Sequence, residues 1–243
     1  MNDKRIWDPS LYSRLSPCHS SCSACPLHLE APTTVGVPSV YCLDSQARTP
    51  NTPPFVVVGQ NPGRSEDRQG FPFVVATGHD LHRVILRYLG IKQTHSVYLL
   101  NAYRCFHAAG SPKPAYVARC APHLSSDLQT ITNAHREAPS KFILCLGQPA
   151  WSAFARRLGV PASLENHLFG HQDTRFQVTD SNNQPHTWRI YGTYHPAFIM
   201  RQRSAIKAMS DHLRLLRDAL DGIIPEPSSP TIILPRLPFR SDS

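Results

Sequence analysis

Short apolar runs alternate with amphipathic stretches along this chain, and that alternation limits its possible folds more than any other feature. "FVVV" at 55–58, "VYLL" at 97–100 and "FILCL" at 142–146 are too short for helices and are followed by turn residues. Continuous apolar runs of this length suit strands buried on both faces. Between them, Leu81, Val84, Ile85 and Leu89 recur at helical spacing within 78–89, and Leu124, Leu128 and Ile131 do so within 116–131. A helix is expected at 149–158, with Pro149 in its first turn. Strands at 175–178 and 188–191, joined by a polar turn around Asn182 and Asn183, and a closing helix at 202–220 complete the series. Such alternation implies βαβ units and a mostly parallel sheet, an α/β fold. Residues 1–50 read as irregular. The body at 1–224 reads as a single domain, followed by a mobile Pro- and Ser-rich tail at 225–243.

In an open parallel sheet, ligands sit beyond the carboxyl ends of the strands. That rule selects Gly59–Gly63, Asn101–Cys105 and Tyr194–Arg201, which should share one edge. Charge suggests the partner. Lys and Arg number 25 against 17 acids, a formal +8, which favours a polyanion and nucleic acid first. Residues 101–122 carry Arg104, Lys113 and Arg119 with no acid, and 186–207 carry Arg189, Arg201, Arg203 and Lys207 with none. No apolar run has the length of a membrane span, and the first residues lack the apolar stretch of a signal peptide. A soluble, cytoplasmic monomer is expected.

Seven cysteines, an odd number, argue against a disulfide framework in such a compartment. Cys22 and Cys25 form a C-x2-C pair, and Cys105 and Cys120 form a second, wider one. Four thiolates suit a tetrahedral zinc or an iron–sulfur cluster. On spacing alone Cys18 or Cys42 can replace any of them, whereas Cys145 inside its strand reads as buried and inert. His195 ends a strand before Pro196, Asn101 ends another, and Phe73 lies in a Gly/Pro-rich loop. Each has a plain structural role open to it as well as a binding one: a core histidine, a turn cap, a packed aromatic.

"GQNPGRSEDRQGFPFV" at 59–74, "YLLNAYRC" at 98–105 and "YHPAFIMR" at 194–201, in this order, resemble the uracil-DNA glycosylase superfamily. The cysteine pattern resembles its iron–sulfur branch, family 4. The resemblance spans roughly residues 22–216 and implies a three-layer α/β/α sandwich around a central, mostly parallel four-stranded sheet. It also implies a monofunctional DNA glycosylase that flips uracil or a modified pyrimidine from DNA and hydrolyses the N-glycosidic bond, as in base-excision repair. By the same resemblance Cys22, Cys25, Cys105 and Cys120 hold a 4Fe–4S cluster. Asn61 and His195 are catalytic, and Gln60, Gly63, Phe73 and Asn101 contact the base. The loop at 198–201, with Ile199 and Met200 as wedge, fills the gap in the DNA, and Arg201 and Arg203 hold phosphates.

Several residues depart from the family 4 pattern. Gln60 and Asn61 stand where that branch has Glu and Ala, and Asn61 resembles the G-x-N-P-G motif of the thymine-DNA and single-strand-selective glycosylases. Asn cannot take a proton from water; it orients water through its amide. Residues 106–110 replace an Arg-Pro-Pro-like stretch, and HPA stands where HPS is common. Gly63 stands where the most uracil-strict family has a Tyr, which leaves room beside C5 of the base. Asn101 reads uracil in one amide orientation and cytosine in the other. Hydroxymethylated or glucosylated phage bases, cleaved in antiviral defence, therefore stand as a second substrate class. A non-enzymatic DNA-binding scaffold is the remaining alternative.

Overall fold

The computed structural model describes residues 9–16, 21–108, 113–158 and 174–223. Within them one sheet contains β1 (Tyr12–Arg14), β2 (Val40–Cys42), β3 (Pro54–Gly59), β4 (Ser96–Asn101), β5 (Phe142–Leu146), β6 (Thr174–Thr179) and β7 (Pro185–Thr193), in the order β1-β2-β4-β3-β5-β7-β6. The central β4-β3-β5-β7 strands are mutually parallel. This is the expected four-stranded core, and β2 beside β4 and β6 beside β7 add antiparallel edges, extended by β1. Every residue of β3, β4 and β5 is buried, as their uninterrupted apolar runs require. β1 and β2, three residues each, fall in the stretch read as irregular.

Alternate strand residues feed two cores. Val56, Val58, Tyr98, Leu100 and Ile143 pack with Leu124, Leu128, Ile131 and Trp151 from α1 (Pro114–Ala134) and α2 (Gly147–Leu158). Phe55, Val57, Val97, Leu99 and Leu144 pack on the other face with Leu81, Ile85, Leu213 and Leu216. Three layers result. The helix expected at 78–89 begins earlier, at Val75, and winds as a π-helix over Leu81–Leu86. The wider winding buries Leu81, Ile85 and Leu86 but turns Val84 outward, half exposed, off the stripe to which its spacing assigned it. The closing helix is likewise broken. A short helix at Pro196–Arg201 and a 3-10 turn at Arg203–Ala205 precede the long helix Ile206–Leu220. No helix among the described residues is long and apolar enough to cross a membrane. The tail at 225–243 and Cys18 lie outside the described residues.

One buried polar network fastens the first fifty residues to the core. The Arg104 guanidinium, just beyond β4, pairs with the Asp127 carboxylate of α1, both almost fully buried. Ser39 Oγ donates to Asp127 Oδ2 at 2.5 Å, and Arg104 Nη1 donates to Ser16 Oγ at 3.0 Å. The Arg104 carbonyl accepts the Val37 N–H at 2.7 Å. Removing one partner of a buried pair strands the other without compensation. Asp127→Ala is therefore expected to cost about 3–5 kcal/mol in chemical denaturation. Replacing Arg104 and Asp127 together with apolar residues of similar volume should cost clearly less, and an equal or greater cost would contradict this account.

Candidate active site

β3, β4, β5 and β7 end on one edge of the sheet, and a cavity of about 700 Å³ opens there. Each strand delivers residues to it: Gln60 to Glu66 after β3, Asn101 with Phe106 and His107 from β4, Gly147 to Pro149 after β5, and Tyr194 and His195 after β7. Seven of the residues singled out from sequence therefore meet in one place: Gln60, Asn61, Gly63, Phe73, Asn101, His195 and Arg201.

The geometry of the motif loop depends on missing side chains. A Cβ on Gly59 would lie 2.5 Å from Asn101 Oδ1 and 2.8 Å from Phe73 Cζ, so these two side chains close over the glycine. Phe73 adopts φ +53°, a left-handed conformation that costs a non-glycine residue about 1–3 kcal/mol. Its carbonyl rests on Gly78, where a Cβ would stand 1.7 Å from the oxygen. Gly63, in contrast, has ordinary backbone angles, and a Cβ there would meet only Glu66 Oε2 at 3.7 Å. The room beside it is real.

Glu66 holds the loop together from beneath. Its Oε2 accepts the Gly63 N–H at 2.6 Å, and the Phe73 and Val74 amides also face the carboxylate. Burial outweighs these donors and raises the carboxyl to about 7. Asp67, fully buried beside it, accepts the Thr34 N–H at 3.1 Å and so ties the N-terminal segment to this loop. Asn61 Nδ2 donates to the Pro62 carbonyl at 2.9 Å, which leaves Oδ1 as the acceptor of that amide.

His195 caps the short helix Pro196–Arg201: its Nδ1 accepts the Ala197 N–H at 3.2 Å. The ring proton is thereby placed on Nε2. Burial, reinforced by Arg201, lowers the imidazole below its usual range and favours the neutral form. Residues 198–201 are helical here rather than a loop. Ile199 packs partly against the core instead of projecting as a wedge, while Met200 is well exposed and Arg203 stands exposed beyond the cavity. Phe198, partly exposed and stacked on Tyr194, lines the cavity together with Ala197 and Arg201 of this helix.

Sequence reasoning passed over Gly147, Gln148, Glu66, Phe106 and His107. The strand-end rule that selected three stretches applies equally to β5 and would have found the first two.

Cys22, Cys25, Cys105 and Cys120 border a second, smaller pocket with His123 and Arg104. Gly36 N–H donates to Cys105 Sγ at 3.4 Å, and His123 Nε2 lies 3.7 Å from Cys22 Sγ. Burial pushes the Cys105 thiol up to about 11 and Cys120 up to about 12. Among the described residues no three His, Cys, Asp or Glu side chains converge as closely as a single metal ion needs. Cys42 is buried in β2, in the core of the opposite face, and Cys145 is buried in β5.

The profile of the Uracil DNA glycosylase superfamily matches residues 47–220. The chain is 25% identical to a Type-4 uracil-DNA glycosylase of Saccharolobus solfataricus over 176 residues, covering 69% of this chain and 72% of that one. It is 28% identical to the Type-4 uracil-DNA glycosylase of Thermotoga maritima over 188 residues, covering 75% and 80%.

Burial of Glu66 makes a stability prediction. With its folded value raised, its stabilising contribution is complete below the ordinary carboxyl value of 4.5 and is lost as pH rises through about 7. Glu66→Gln should therefore gain thermal stability relative to the parent chain as pH is raised across that window. A melting-temperature difference that does not change with pH would contradict it.

Proposed function

The chain belongs to the uracil DNA glycosylase superfamily and is a DNA glycosylase, and from that premise we propose that it flips a pyrimidine, uracil first, out of DNA and hydrolyses its N-glycosidic bond to leave an abasic site. The convergence of Asn61, Phe73, Asn101 and His195 on one cavity carries this reading. The relatives' names supply uracil.

A base within a duplex hides its glycosidic bond, so the nucleotide must leave the stack. Phe73 replaces the lost stacking, worth roughly 1–3 kcal/mol per base. Asn101 hydrogen-bonds the pairing edge. As the bond breaks, negative charge grows on the base, and the Nε2–H of neutral His195 donates to O2. Asn61 Oδ1 accepts a hydrogen bond from the attacking water and aims it at the sugar, and the water's proton passes to the departing base anion rather than to Asn61. Met200 and Phe198 prop the gap in the stack, Arg201 and Arg203 take phosphates, and binding falls with salt. No Schiff-base step is needed, since no lysine stands in the three motifs.

Cys22, Cys25, Cys105 and Cys120 would hold a 4Fe–4S cluster. In such a cluster each ligand binds a different iron, and four cysteines bordering one pocket are a fitting donor set. The Gly36 N–H directed at Cys105 is a donor of the kind that supports a cluster ligand. When bound, the cluster would supply a rigid cross-link among the N-terminal segment, the end of β4 and α1. The shared sheet supports reading residues 1–224 as one domain, and we propose that the protein acts on DNA as a cytoplasmic monomer.

A second substrate class, pyrimidines substituted at C5, is favoured by one observation: the space at Gly63.

His195→Ala and Asn61→Ala should each slow base release about 100-fold or more while DNA binding survives; near-parental rates in both would overturn the assigned roles. Purified protein should be brown, with broad visible absorption and about four irons per chain. Stoichiometric zinc in colourless protein would replace the cluster with a mononuclear site.

A further inference from the structure

Phe106 and His107 line the cavity wall in the segment that departs from the family 4 pattern. His107 Nδ1 lies 2.5 Å from Glu30 Oε2, at the end of the short helix Leu27–Glu30, and the imidazole is 13% exposed. Glu30 itself stands outside the cavity lining. A carboxylate only accepts hydrogen bonds, so Nδ1–H is the donor, and in that tautomer Nε2 is an acceptor. Among the described residues nothing hydrogen-bonds that Nε2. The arrangement resembles a ligand-facing histidine whose orientation is set by a carboxylate behind it.

The two residues are also held from the same place. Glu30 comes five positions after Cys25 and His107 two after Cys105, and both cysteines border the second pocket. The Glu30–His107 bond thus closes a loop between two segments that are already anchored.

In the glycosylase reading, three cavity residues meet defined parts of a bound pyrimidine and leave one side of it to the rest of the wall. Phe73 takes its face, Asn101 its pairing edge and His195 the O2 beside the glycosidic bond. The C5 substituent, and the hydrogen of a 4-amino group that points toward C5 rather than to Asn101, remain. Resting on the glycosylase reading above, we propose that His107 is a specificity-determining residue, oriented by Glu30 so that Nε2 accepts a hydrogen bond from a donor on the C4–C5 side of the flipped pyrimidine. A hydroxyl on a 5-substituent and the 4-amino group of cytosine share that chemistry. Uracil has only a carbonyl at C4 and a hydrogen at C5, and it gains nothing from this contact.

The test is base release by the full chain from matched duplexes containing uracil, 5-hydroxymethyluracil or cytosine. It compares the parent with His107→Phe, Glu30→Ala and Glu30→Gln. The expected result is that the parent releases 5-hydroxymethyluracil or cytosine, and that the ratio of kcat/KM for that base over uracil drops about tenfold in His107→Phe. Glu30→Ala should move the ratio the same way, and Glu30→Gln, whose amide oxygen still accepts from Nδ1–H, should keep most of it. The arm that responds identifies whether the donor is the hydroxyl or the amine. A parent that releases uracil alone, or a His107→Phe that slows all bases equally, overturns the inference and leaves the glycosylase reading standing. A parent that releases no base from any duplex overturns that reading instead.

Discussion

The site depends on what Gly59 lacks. Asn101 Oδ1 and the edge of the Phe73 ring occupy the volume that any side chain at the end of β3 would fill. Their closeness is what makes one small patch offer both an aromatic face and an amide. The Phe73 backbone is held in an unfavourable conformation for the purpose, with its carbonyl seated on a second glycine, Gly78. Such strain persists only where the surroundings over-determine it. Here the surroundings are Glu66, buried and bonded to the loop amides, and the wall of parallel strands whose ends present the loop.

A second set of constraints brings the N-terminal segment against this frame. The bonds of Ser39 and Ser16 to the Arg104–Asp127 pair, the Asp67–Thr34 bond, the cysteine pocket and the Glu30–His107 bond all join residues before 40 to the frame of the cavity. Each alone is modest. Together they mean that a segment with little regular structure of its own fixes one wall of the cavity. The proposed cluster would act on this wall by rigidity, since its ligands come from the same three segments.

Much of this was legible in the amino-acid order, for identifiable reasons. β3, β4 and β5 announce themselves because a strand buried on both faces must be apolar throughout. The edge that carries the site follows from the parallel topology alone. β1 and β2 were not legible: three-residue strands carry no periodicity, and their pairing is decided by distant partners. Val84 was misplaced because its spacing assumed ordinary helical winding where the chain winds as a π-helix. Ile199 was assigned outward from a pattern written as loop, whereas the helix started by His195 and Pro196 turns it toward the core. His107 stood out only as part of the departing stretch 106–110, for a different reason. Its significance lies in a contact with Glu30, 77 positions away, and no local pattern encodes that.

The central claim is that this edge of the sheet releases a pyrimidine by hydrolysis. Mass spectrometry of the bases set free when the purified chain is incubated with uracil-containing DNA tests it most directly. The account predicts free uracil in solution and an intact strand bearing an abasic site. Recovery of no free base, from either single-stranded or duplex DNA, would contradict it.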